Sequence, residues 1–163
     1  MPVSLVIVPY LLANLFMKVY LDNCAFNRPF DDQNHIRIRL ETEAKLYIQS
    51  LIEDGSLELV WSYILEMENN HNPFQEKRNA IARWKRLSMS DISESFSIIK
   101  NAKELMSLGI KSKDALHVSC AIEGKAEYFV TTDDKLINKL SRCKYISVVN
   151  PITLAGYLDE HSD

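Results

Sequence analysis

The chain has 163 residues, 47% of them hydrophobic and 25% charged, which supports one core of ordinary size and not two. Glycine and proline are sparse, which argues against a disordered chain. A formal net charge of −3 excludes a global electrostatic attraction for nucleic acid, so any such binding rests on a local basic patch.

Residues 1–16 open the chain with an almost wholly apolar run, Val3 to Phe16, interrupted by Pro9 and preceded by no Lys or Arg. The run lacks the positive flank and cleavage site of a signal peptide, and it is shorter than the ~20 residues of a membrane span. Met17 immediately precedes the first clean strand. An over-long start is one reading of residues 1–16, and an added helix or membrane anchor is the other; the folded domain is set at 17–160. Lys18 to Asp22 predicts a short strand. Asn34 to Asp54 predicts a helix with Ile36, Leu40, Ala44, Tyr47, Ile48, Leu51 and Ile52 on one face and Gly55 as its stop. Leu57 to Trp61 predicts a second strand, and Ser62 an N-cap for a short helix reaching about Asn70. After Asn72-Pro73, Phe74 to Leu87 reads as helix. Asp91-Ile92-Ser93-Glu94 is a capping pattern for the next, which Gly109 ends. Ser112 is expected to cap a helix from Lys113 to about Glu123. Glu127 to Thr131 reads as strand, Lys135 to Leu140 as helix, Tyr145 to Val149 as the last strand, and Asn150-Pro151 as the start of a terminal helix through Leu158. This alternation predicts one α/β domain with a four- or five-stranded, mostly parallel sheet. Three widely spaced cysteines, Cys24, Cys120 and Cys143, make neither a disulfide framework nor a zinc site, and a reduced cytoplasmic compartment is the simpler reading.

Four carboxylates fall where such a sheet would bring them together. Asp22 and Asp133 end apolar strands, and Asp114 and Glu68 lie in the first turns of predicted helices. Each has an ordinary use: Asp22 and Asp133 as caps, Asp114 as a favourable charge near a helix N-terminus. Glu68 is more telling. It shares a helical arc with Ile64, Met67 and His71, while Glu66 points away with Asn70 into solvent. A carboxylate on a buried face is costly without a partner. Two carboxylates ~4 Å apart repel by about 4 kcal/mol at an effective dielectric of 20, so four together call for cations. All-oxygen ligation favours Mg2+ or Mn2+ over zinc. His35, His71 and His161 are scattered, and His117, one turn after Asp114, reads as a packing histidine.

The order of these acids resembles the PIN-domain family of metal-dependent nucleases, which includes VapC-type toxins. The matching pieces are Val19-Tyr20-Leu21-Asp22, Ser62 followed six residues later by Glu68, Asp114-Ala115-Leu116-His117, Val130-Thr131-Thr132-Asp133 and Val148-Val149-Asn150-Pro151. The resemblance implies a three-layer α/β/α sandwich and an endoribonuclease with Asp22, Glu68, Asp114 and Asp133 as its catalytic acids. Asp22, Asp114 and Asp133 would ligate Mg2+ or Mn2+, and Glu68 would bind the metal or orient a water. Asn23 and Thr131 would support the ligands. Family members usually carry Thr or Ser and then Asn after the first Asp, where this chain has Asn23 and Cys24. RNA as substrate, a cognate antitoxin and a homodimer are expectations of the same kind.

Phosphate contacts are expected from Arg28 and from Arg83, Lys85 and Arg86 around Trp84, with Lys77 and Arg78 on the same helix and Arg37 and Arg39 as a second set near Asp22; an ordinary solvated face is the plainer alternative. A non-catalytic PIN-like module that binds RNA or protein is the rival reading, and erosion of one or more acids would mark it. A phosphotransfer receiver fits less well. It needs an acidic pair after its first strand and a Lys after its last, where this chain has Leu21 and Asn23 around Asp22 and Asn150-Pro151 at the end.

Overall fold

Four short apolar runs and one polar edge segment supply the strands of the computed structural model, which describes residues 16–162. They are β1 (Met17–Leu21), β2 (Leu57–Ser62), β3 (Ser90–Ile92), β4 (Tyr128–Val130) and β5 (Ser147–Val149). All neighbours pair in parallel, in the order β3-β2-β1-β4-β5. Strand burial is nearly continuous, with Val19, Tyr20, Leu21, Leu59, Val60 and Phe129 fully enclosed, as expected of a parallel sheet covered on both faces. The expectations about residues 1–15 lie outside the described residues.

The chain steps outward from β1 to β3 and then crosses back to β4 and β5. Right-handed crossovers therefore put the helices after β1 and β2 on one face and those after β3 and β4 on the other. The first set is α1 (Asn23–Asn27), a single 3-10 turn (Arg28–Phe30), α2 (Ile36–Glu53), α3 (Tyr63–Asn70) and α4 (Gln75–Leu87). The second is α5 (Phe96–Ser107), α6 (Ser112–Glu123) and α7 (Asp134–Lys139), and α8 (Pro151–Glu160) closes the chain against α2. The result is a three-layer α/β/α sandwich. The reversal of strand order between β1 and β4 opens a crevice at their carboxyl ends, the usual ligand position in an open α/β sheet. Among the described residues no helix is long and apolar enough to cross a membrane.

Local chemistry accounts for most element ends. Ser62 Oγ accepts from Leu65 N at 3.3 Å and starts α3 as expected. Gly55 and Gly109 follow α2 and α5 with φ of 84° and 88°, a conformation glycine adopts without strain. Gly124 ends α6 for a different reason: a Cβ there would stand 2.5 Å from Val60 Cγ1, so only glycine lets the helix end sit on β2.

Three expectations need correction. The Asp91 to Glu94 segment does not open a helix. Ser90–Ile92 pairs with Val60–Ser62 as the edge strand β3, and Ser95 caps α5 instead, accepting from Ile98 N at 3.3 Å. Pairing to a central strand overrides the local capping signal there. Ser112 is the first residue of α6 rather than its cap; Lys111 holds that position with no side-chain bond. Finally, Ile36 and Leu40 are 66% and 48% exposed, because the first turns of α2 bury Glu41 instead. Glu41 is fully enclosed, takes Arg28 at 2.8 Å and Arg37 at 3.4 Å, and receives Asn150 Nδ2 at 2.5 Å.

Candidate active site

Asp22 leaves the end of β1 with its backbone N–H donated to Val130 O at 2.9 Å, which ties the carboxyl ends of β1 and β4 together. Its side chain is nearly buried. Oδ1 accepts from Asn23 N at 2.8 Å, and Oδ2 accepts from Thr131 Oγ1 at 2.9 Å and Cys24 Sγ at 3.4 Å. Thr131 Oγ1 also accepts from Asp133 N at 3.2 Å, so one buried hydroxyl fixes both the Asp22 carboxylate and the loop carrying Asp133. Burial, with the Asp22 charge beside it, pushes the Cys24 thiol up to about 12. It remains a protonated donor to Asp22.

Glu68 enters from α3. Its Oε1 lies 2.8 Å from His117 Nε2 and 3.9 Å from Lys113 Nζ. Burial pushes its carboxyl up, but the hydrogen bond and charge of His117, with Lys113 and Asn23 assisting, outweigh that and hold it below the usual range. An ionised Glu68 accepts only, so His117 Nε2 donates to it, and Nδ1 is hydrogen-bonded to Tyr20 Oη at 2.6 Å. Tyr20 Oη is in turn hydrogen-bonded to the Ser62 hydroxyl at 2.6 Å. A buried chain from Ser62 through Tyr20 to His117 therefore orients Glu68, and His117 is a satisfied interior histidine as expected. Glu66, two residues away, is 44% exposed against 13% for Glu68 and pairs with Lys85 at 2.8 Å.

Asp114 projects from the first turn of α6 with no hydrogen-bond or ion-pair partner among the described residues. Burial first, and then the charges of Asp22 and Asp133, push its carboxyl up. Asp133 is exposed and caps α7, with Oδ1 accepting from Lys135 N at 3.0 Å and Leu136 N at 3.3 Å. All four acids line one cleft of about 480 Å3 at the β1/β4 switch point. Asn27, Asp31 and Lys113 also line it. Their signals in the sequence are the distinctive loop Asn27-Arg28-Pro29-Phe30-Asp31-Asp32, the i, i+4 pair Asn23 and Asn27, and the adjacency of Lys113 to Asp114.

Among the described residues no three acidic, histidine or cysteine side chains already stand at the spacing of a closed ligand set. The donors nonetheless suit a hard cation. They are carboxylate oxygens, and Mg2+ is commonly held by one or two carboxylates with several waters retained.

The basic residues divide. Arg28 is committed to Glu41 at 2.8 Å and Asp31 at 3.0 Å, and Lys85 to Glu66 and Asp91, so neither guanidinium nor ammonium stands free for phosphate. Lys77 lies over the rings of Phe74 and Phe30, Arg78 bonds Asn72 O, and Arg37 is paired with Asp134 at 2.7 Å. Arg83 and Arg86 are exposed but line a different cleft, beside Trp84.

A parallel α/β/α sandwich with four acids at its switch point defines a class of proteins built around an acidic rim. The PIN-domain model matches residues 19–141, most of the chain, and the chain belongs to the PIN-domain family. Among solved structures it is similar to a chain of VapBC2 from Rickettsia felis, determined bound to a DNA fragment from their promoter. The TM-score is 0.51 with 16% identity, over 82% of this chain and 98% of that one, which is a likeness of fold. No curated protein matches the sequence.

Proposed function

We propose that this chain is a Mg2+- or Mn2+-dependent endoribonuclease of toxin type that hydrolyses RNA phosphodiesters at the four-acid cleft. Asp114 carries the proposal. It is a half-buried carboxylate with no partner among the described residues, pushed up by burial and by Asp22 and Asp133, and a divalent cation relieves that repulsion. Membership of the PIN-domain family supports the nuclease class.

Asp22, Asp114 and Asp133 are the residues that would hold the ion. When bound it supplies Lewis-acid polarisation of a phosphate and of an attacking water. Thr131 and Asn23 fix the Asp22 carboxylate so that its oxygens keep one orientation toward the cleft. Glu68, held ionised by His117, accepts a proton from the attacking water, and the Tyr20–His117 chain keeps it from rotating away. Lys113, 61% exposed at the cleft wall, meets the substrate phosphate. The likeness to a VapBC2 chain supports a cognate antitoxin as partner, and a homodimer in the cytoplasm belongs to the same reading.

Thermal melts in EDTA and in excess Mg2+ or Mn2+ test the metal site. The midpoint should rise with the ion by mass action in the wild type and not in Asp114→Asn. A wild-type midpoint indifferent to both ions would remove the metal-dependent reading.

A further inference from the structure

A second cleft, of about 560 Å3, lies between α2 and α4 and is separated from the acidic cleft by α1 and the 3-10 turn. Phe26, Pro29 and Phe30 face it, whereas Asn23, Asn27 and Asp31 of the same segment face the acids. Its interior holds Lys45 and Gln49, one helical turn apart on α2 and each only 4% exposed. The Lys45 ammonium stands 5.6 Å from the Phe26 ring centre and 6.0 Å from that of Trp84. No carboxylate comes within pairing distance of it among the described residues, and Glu53 at the mouth makes no ion pair with it. Gln49 Nε2 is buried with no hydrogen-bond partner.

Buried charges and amides are normally paired, because an unpaired one forfeits its hydration. Two neighbouring donors, one cationic, at the base of an aromatic-walled cleft are therefore the complement of a two-oxygen anion. Residues 1–16 contain no Asp or Glu, so the missing acid does not come from that segment. The rim favours a carboxylate on an apolar chain over a sugar-phosphate backbone, since Phe30, Leu46 and Leu87 are 39%, 49% and 44% exposed around the opening. Arg83 and Arg86 at the mouth add attraction for an incoming acid.

We propose that this cleft is a docking site for a partner polypeptide that inserts an Asp or Glu side chain, flanked by apolar residues, between Lys45 and Gln49. Burial lowers the free Lys45 amine to about 7, so a bound carboxylate should draw a proton onto it above neutral pH.

The test is calorimetric titration of the full chain at mildly alkaline pH, in two buffers of different ionisation enthalpy. The probes are the blocked peptide acetyl-Ala-Leu-Glu-Leu-Ala-amide and its Gln counterpart. The Glu peptide should bind at least tenfold more tightly than the Gln peptide and take up a proton. Lys45→Met should reduce its affinity to the Gln level, while Lys45→Arg retains most of it. Asp114→Asn should bind the Glu peptide unchanged, so failure here is distinguishable from failure of the nuclease reading. If Lys45→Met does not fold, the Glu-against-Gln ratio and the proton uptake on wild type still decide. Equal affinity for the two peptides, no binding at millimolar concentration, or binding without proton uptake would overturn the proposal. So would equal affinity for free 4-phenylbutyrate, which would assign the cleft to small acids, or displacement of the peptide by a single-stranded RNA hexamer.

Discussion

Replacing Lys45 with methionine keeps the apolar stem and removes the buried charge, and the consequence for stability should depend on pH. Folding lowers the amine from 10.5 to about 7, a cost of about 5 kcal/mol when the ammonium is kept charged. Below pH of about 7 both folded and unfolded chains are protonated, and the folded state bears the whole penalty. Between 7 and 10.5 the folded chain sheds the proton while the unfolded chain keeps it, so wild-type stability rises with pH relative to the variant. Above that window the two converge. Urea unfolding of both proteins across the range should show Lys45→Met more stable by about 5 kcal/mol on the acidic side, with the gap closing toward alkaline pH. A gap independent of pH, or a wild type that is the more stable at acidic pH, would refute an unpaired buried ammonium.

Glu68→Gln should abolish cleavage in a metal-dependent RNA assay while Glu66→Gln leaves it nearly intact, because residues two apart on a helix diverge by about 200°; the reverse would mean that the exposed member of the pair is the functional one. Glu41→Gln should cost about 3 kcal/mol in urea melts, since it removes the fully buried negative charge that Arg28 and Arg37 share. The raised Asp114 carboxyl favours the protonated folded state, so its penalty is present at neutral pH and absent once both states are protonated. Asp114→Asn in EDTA should therefore match or exceed wild-type stability at neutral pH and lose that advantage at pH near 3; a loss of about 1 kcal/mol at neutral pH would instead make Asp114 a structural helix-start residue.

Strands β1, β2, β4 and β5 were legible because each is a short apolar run bounded by a turn former, and Ser62 announced α3 by its hydroxyl. Edge strand β3 was not, since Ser90-Asp91-Ile92 has one apolar residue and owes its conformation to β2. On α2 the apolar periodicity continued past the region that the core reaches, so Ile36 and Leu40 were placed inside while Glu41 and Lys45 occupy buried positions. Nothing local marks a buried ion network whose members lie as far apart as Glu41 and Asn150. The acidic cleft was readable from strand-end logic, which needs only sequence order and parallel pairing. The basic residues were not, because a helix-face cluster says nothing about the acids waiting on other elements: Lys85 meets Glu66 of α3 and Asp91 of β3, and Arg28 meets Glu41 of α2.

Metal-dependent hydrolysis of RNA is proposed at the cleft shared by Asp22, Glu68, Asp114 and Asp133. Incubation of a pooled RNA with the purified full chain, in Mg2+ or Mn2+ and in EDTA, with the new ends mapped, tests it most directly. Cleavage at defined sites is expected in the metal buffers, none in EDTA, and none by Asp114→Asn that is folded by circular dichroism. Cleavage that persists in EDTA or in folded Asp114→Asn, or a wild type that binds RNA without cutting it in either metal, would contradict it.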